Sequence, residues 1–173
     1  MRMERIKENE FERYYTLLEE DFCYDERKSK EDELKAFSNR SFKPYFIYDN
    51  NLMVGYMCYW EFKDFIFGEH FAVLKEKRNL GYGTIFFEYF LKKIKKTLVF
   101  EIEKPTDEQS KKRKKFYEQF NLSFNEYEYL QPSYHVDGNE VPMILVSYPR
   151  SLTKEEFKQV VDKVKAEVCN ISC

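Results

Sequence analysis

Three of the five glycines, Gly68, Gly81 and Gly83, fall in one strand-loop-helix stretch. The last two close an R-x-x-G-x-G pattern, Arg78-Asn79-Leu80-Gly81-Tyr82-Gly83, directly ahead of an amphipathic run. No other feature constrains the chain as much. The first turn of a helix leaves backbone N–H groups unpaired at the positive end of the dipole, and glycine lets the chain close around an anion, so the pattern predicts a phosphate cradle. It lacks the Gly-Lys-Ser/Thr ending of a P-loop. The strand before it belongs to an antiparallel meander and does not open a βαβ unit, which disfavours a dinucleotide fold.

Hydrophobic periodicity sets the rest of the chain around that loop. After a short apolar start near Ile6, Phe11, Tyr14, Tyr15, Leu18 and Phe22 recur every three or four residues and predict a helix over residues 8–22. Ser29 with Asp32 forms a capping pattern ahead of a second helix over 30–38. The period then shortens. Aromatic and β-branched runs at 42–48, 52–62 and 65–73 predict three meandering strands, the first two joined at Asp49-Asn50-Asn51. Beyond them the pattern predicts a helix over 82–96, a strand over 98–102 and a helix over 107–120 ending at Asn121. Strands over 123–129 and 141–147 and a helix over 154–169 complete the order β-α-α-β-β-β-α-β-α-β-β-α.

Composition narrows the function classes. A length of 173 residues without a Gly/Pro/Ser-rich linker predicts one domain. A net charge of −2 disfavours nucleic acid as a partner, since phosphate neutralisation needs a surplus of Lys and Arg on one face. The absence of a long uncharged apolar run or of a leader pattern predicts no membrane span and a cytoplasmic protein. Cys23, Cys58, Cys169 and Cys173 are dispersed without partnering histidines, which predicts reduced thiols and no metal site.

The segment Phe71-Ala72-Val73 followed by Arg78 to Gly83, together with Phe116-Tyr117-Glu118-Gln119-Phe120-Asn121-Leu122, resembles the GCN5-related N-acetyltransferase (GNAT) superfamily. Asn121 stands where the family usually has Gly. The resemblance covers residues 3–148 and implies an α+β, three-layer fold: a mixed, mostly antiparallel central sheet flanked by helices. The expected organisation is an acyl-CoA-binding catalytic domain over 1–150, with an extra C-terminal helix in 151–173 packed on the same domain. It implies transfer of an acetyl or other acyl group from acetyl-CoA, as co-substrate, to a primary amine within a ternary complex. Phe71 and the backbone of Val73 would meet the pantetheine arm, and Arg78, Asn79, Leu80, Gly81, Tyr82, Gly83 and Thr84 would hold the pyrophosphate. Glu69 matches a position where members place the general base, and Tyr117 that of the acid that protonates the CoA thiolate.

Strand alternation predicts Glu69 and Val73 on one face and His70 on the other. His135, in the loop 131–140, competes with Glu69 for the base. The run Lys111-Lys112-Arg113-Lys114-Lys115 reads as a solvated helix face whose field would attract CoA phosphates. The rival function is a non-enzymatic module of the same fold that binds acyl-CoA or a protein partner. Loops 22–41 and 130–140 would form the acceptor pocket, leaving the amine open among small amines, peptides and protein lysines. The terminal helix carries Phe157, Val160, Val161, Val164 and Val168 on one side and is expected to dock on its own domain, in a monomer or a homodimer.

Overall fold

The computed structural model describes residues 1–135 and 138–169. Its chain forms two compact units, 1–96 and 97–173. In the first, β1 (Arg2–Arg5), β2 (Phe42–Asp49), β3 (Leu52–Glu61) and β4 (Phe65–Val73) pair antiparallel in that order. The β2–β3 connection turns at Asn50, whose φ of 52° is one asparagine tolerates. Helices α1 (Phe11–Asp21) and α2 (Lys30–Phe37) come between β1 and β2, and α3 (Tyr82–Lys93) follows β4.

The helices form where sequence pattern and capping agree. The Ser29 hydroxyl accepts the Asp32 N–H and starts α2. Phe11, Tyr14, Tyr15 and Leu18 of α1 are buried with Phe46, Tyr56 and Ala72 of the sheet. Each such side chain stabilises by about 1.5–3 kcal/mol when fully buried. On the other face, Phe71 of β4 meets Phe86 and Phe87 of α3, and Phe90 meets Tyr59.

The second unit holds β5 (Thr97–Glu103), α4 (Glu108–Glu118), β6 (Ser123–Phe124), β7 (Tyr129–Gln131), β8 (Val141–Tyr148) and α5 (Lys154–Lys163), which runs on into a π-helical turn at Val164–Val168. Strand β8 pairs antiparallel with β5, and with β6 and β7. The strand expected over 123–129 is therefore two short pieces. Asn125 interrupts it: buried, its amide nitrogen donates to the carbonyl of Leu145 at 2.9 Å and the hydroxyl of Ser147 at 3.0 Å, while its side-chain oxygen accepts the Leu152 N–H at 2.8 Å. Thr153 caps α5 by accepting from the Glu156 N–H. Phe157 packs on Tyr127 and Tyr129, and Val160, Val164 and Val168 are buried.

The architecture is thus α+β and mostly antiparallel, with eight strands and five α-helices among the described residues. No helix among them is long and apolar enough to cross a membrane. Cys23 and Cys58 are free thiols, and Cys173 lies outside the described residues.

Candidate functional site

The loop between β4 and α3 has the conformation that its glycines predict. Asn79 and Gly81 take φ of 62° and 81°, both left-handed, so the chain curls back before the helix begins. Gly81 is the N-cap. It brings no side chain to the first-turn amides, and no acidic residue lies in that turn. The first helical bond runs from the Ile85 N–H to the Gly81 carbonyl at 3.1 Å. The N–H groups of Tyr82, Gly83 and Thr84 therefore lie ahead of any in-helix acceptor, at the positive end of the dipole. An anion would supply what Ser, Asp or Glu supplies at an ordinary cap. Leu80 stands exposed on the loop.

Arg78 anchors the loop from below. Its Nε donates to the Val73 carbonyl at 3.0 Å, and its Nη2 pairs with Asp21 of α1 at 2.5 Å. The guanidinium thereby ties the end of β4 to the end of α1. Val73 faces Gly55 across the β3–β4 ladder, and Phe71 lies on the α3 side.

Glu69 lies elsewhere than alternation predicts. The ladder is Cys58↔His70 and then Tyr59↔Gly68, so Glu69 is the extra residue of a β-bulge. The bulge shifts the alternation: Glu69 joins His70 on the α1–α2 side of β4, whereas Val73, two residues beyond Phe71, faces α3. Cys58 Sγ, a Glu69 oxygen and a ring nitrogen of His70 all lie within 4.8 Å of one another.

A buried charged cluster surrounds Glu69. Its side chain is 0% exposed and Lys28's is 6% exposed. One oxygen pairs with the Lys28 ammonium, and the other accepts the Trp60 indole N–H at 2.7 Å. Lys28 Nζ lies 5.5 Å from the centre of the Trp60 ring. Burial alone would raise the Glu69 carboxyl, but the Lys28 charge and the hydrogen bonds from Lys28 and Trp60 bring it below the ordinary carboxylate value. Glu69 is an anion with both oxygens engaged. Removing one partner of a buried pair typically costs about 3–5 kcal/mol.

Glu33 of α2 completes the cluster. Fully buried, it accepts the Tyr14 hydroxyl at 2.7 Å through Oε1, and its Oε2 has no hydrogen-bond partner among the described residues. Burial pushes its carboxyl up to about 7, against the opposing pull of Lys28. His70 Nε2 lies 2.9 Å from the Glu26 carbonyl, which can only accept, so the ring proton is assigned to Nε2. Nδ1 is left to accept from Cys58 at 3.5 Å. Burial lowers the His70 pKa and raises that of the Cys58 thiol, so both are neutral. The Cys58, Glu69 and His70 donors are of types that bind transition metals, but Lys28 already supplies the positive charge beside Glu69.

In the second unit, Tyr117 lies on α4 with its ring 4.7 Å from that of Phe100. Burial pushes the phenol up to about 12, so it keeps its proton throughout the physiological range. The His135 N–H donates to the Ser133 hydroxyl at 2.9 Å. Lys114 and Lys111 of the basic run pair with Glu118 and Glu108, in keeping with a solvated helix face.

Sequence reasoning passed over Lys28, Glu33, Trp60 and Gly55. Glu33 left a readable signal. It precedes Ala36 and Phe37 by three and four residues, so α2 carries a carboxylate on its inward stripe.

Comparison with known proteins agrees with this geometry. The sequence profile of the Acetyltransferase (GNAT) family matches residues 9–122. A Bacteroides thetaiotaomicron protein of the GNAT family, a candidate acetyltransferase by description, is 27% identical with a TM-score of 0.91, over 99% of this chain and 100% of its own. The ribosomal-protein-S18-alanine N-acetyltransferase of Escherichia coli is 14% identical with a TM-score of 0.64, over 89% of this chain and 96% of its own. Arabidopsis thaliana NAA60, solved with acetyl-CoA, shares 9% identity and a TM-score of 0.62, over 85% of this chain and 97% of its own. No curated protein gives a significant sequence match. The matched profile spans well over half of the chain, from α1 through the glycine loop to the end of α4, and the chain therefore belongs to the GNAT acetyltransferase family.

Proposed function

We propose that this protein transfers an acetyl group from acetyl-CoA to a primary amine by direct attack in a ternary complex. The observation that carries the reading is the N-terminus of α3. Gly81 caps it without a side chain, no acid enters its first turn, and three amides precede the first helical bond. A diphosphate satisfies those amides without displacing any group of the protein. Phe71 and Val73 lead β4 to this point, where the pantetheine arm would run along the strand.

Chemistry at the thioester asks for three things: an unprotonated amine, a donor to the carbonyl oxygen, and a proton for the leaving thiolate. Tyr117, protonated at neutral pH, suits the last. Glu69 can accept a proton from the acceptor only when Lys28 leaves it, because both its oxygens are engaged. That same engagement favours a second reading, a module that binds acyl-CoA without turnover. Acetyl-CoA consumption against a panel of small amines, polyamines, peptides and protein lysines, with product masses recorded, separates the two. Mass gain of 42 Da on an amine is expected; tight CoA binding with no product on any acceptor would establish the module.

A further inference from the structure

We propose that Glu69, Glu33 and the Trp60 ring form a binding site for a primary ammonium group, and that the chain's own Lys28 occupies it. The inference rests on the acyltransferase reading for its consequence: the acceptor amine competes with Lys28 for the same carboxylates.

The first ground is the make-up of the site. Carboxylate oxygen and the face of an indole are the two surfaces that recognise an ammonium in a desolvated setting. Here one carboxylate contacts Nζ of Lys28, and the Trp60 ring lies 5.5 Å from it. The Trp60 N–H, by bonding the other Glu69 oxygen, holds carboxylate and ring in fixed relation.

The second ground is charge. Two buried carboxyl groups lie in the field of one lysine, Glu69 in contact with it and Glu33 through its charge alone, and His70 and Cys58 beside them are neutral. Glu33 is electrostatically coupled to both Lys28 and Glu69, and its Oε2 is fully buried without a hydrogen-bond partner among the described residues. A hydrophobic core gains nothing from a second carboxyl group left in this way, whereas a cation brought beside it would favour its ionised form.

The third ground is where the occupant comes from. Lys28 belongs neither to the sheet nor to a helix. It lies in the connection between α1 and α2, immediately before the Ser29 cap. Its neighbours fix that connection through groups separate from the carboxylates: Tyr15 donates to the Lys28 carbonyl at 3.1 Å and His70 to the Glu26 carbonyl. The ammonium can thus leave while its backbone stays held. A free amine placed there would have the same charge and the same tetrahedral donor.

The test uses the full-length chain and its single tryptophan, Trp60. In Lys28→Ala, n-butylammonium chloride should shift Trp60 emission saturably and raise Tm, relative to sodium chloride at equal ionic strength. Lys28→Ala/Glu69→Gln should weaken that binding tenfold or more. Equal responses to the two salts in folded Lys28→Ala would overturn the site. If Lys28→Ala is unfolded in plain buffer, refolding yield decides: recovery in n-butylammonium alone supports the site, and equal yields in both salts overturn it. In turnover, Lys28→Ala should lower KM for amines several-fold and leave KM for acetyl-CoA unchanged, and a raised amine KM would overturn the competition. Emission and Tm need no acetyl transfer, so failure of the enzymatic reading would leave them unmoved.

Discussion

Gly55 of β3 passes so close to Ala72 of β4 that a methyl group on its Cα would stand 2.3 Å from the Ala72 carbonyl oxygen. That oxygen is backbone and cannot swing aside. The close approach lies one residue before Val73, where β4 hands over to the glycine loop. Gly55→Ala must push the two strands apart, and overpacking of this kind typically costs about 1–3 kcal/mol. Tm should fall by roughly 2–12 °C, at about 2–4 °C per kcal/mol for a chain of this length. Acetyl-CoA affinity should fall with it. A variant with unchanged Tm and affinity would mean that the strand end does not position the loop.

Gly83 lies in the first turn of α3 beside the amides assigned to the diphosphate. Gly83→Val should weaken CoA binding at least tenfold by calorimetry while leaving the fold intact by circular dichroism. Unchanged affinity would remove the loop from the cofactor site.

The phenol of Tyr117 keeps its proton to about pH 12. Tyr117→Phe preserves the ring on Phe100 and removes only the hydroxyl that carries that proton. A positioned acid typically contributes about 10²–10⁴, so kcat should drop tenfold or more with little change in KM for acetyl-CoA. Full activity would end the assignment.

Glu33 gives stability a specific pH dependence. Burial raises its carboxyl to about 7 from an unfolded value near 4.5, so the folded chain holds this proton more tightly than the unfolded chain. Its contribution is fully present below about pH 4.5 and is lost as pH rises through 7. Glu33→Gln removes the titration. Urea denaturation at pH 5 and pH 8 should show a smaller difference between the two pH values in the variant than in the parent; equal differences would contradict the burial of an ionising Glu33.

Helix α5 docks on its own unit through Phe157 on Tyr127 and Tyr129, with three buried valines behind it. Deleting residues 153–173 should lower Tm substantially without changing the oligomeric mass measured by light scattering. A full-length dimer that becomes a stable, active monomer on truncation would show an interface instead.

The glycine loop was legible because its signal is local. Left-handed φ at Gly81 and an acid-free first turn follow from residues adjacent in sequence. The same holds for the Ser29 and Thr153 caps and for the aromatic stripe of α1. The surroundings of Glu69 were not legible, because a bulge is a property of two strands in register, and its single extra residue reverses which side chains share a face. The cluster draws Tyr14 from α1, Lys28 from a loop, Glu33 from α2, and Trp60 and Glu69 from two strands, and no spacing along the chain encodes that meeting. The break in the expected strand over 123–129 has the same origin: Asn125 reads as an ordinary polar residue until its three partners, twenty or more positions away, are in place.

Those partners make Asn125 a register pin. Alternating hydrophobic strands can slip by two residues and still bury the same face, so apolar pattern alone leaves β8 with neighbouring alignments of similar energy. A slip of β8 past Asn125 would carry the Ser147 hydroxyl away from the amide, and each buried donor or acceptor left unmet costs about 1–3 kcal/mol. One polar side chain of little net stabilising value thus helps to fix the alignment of β6 on β8.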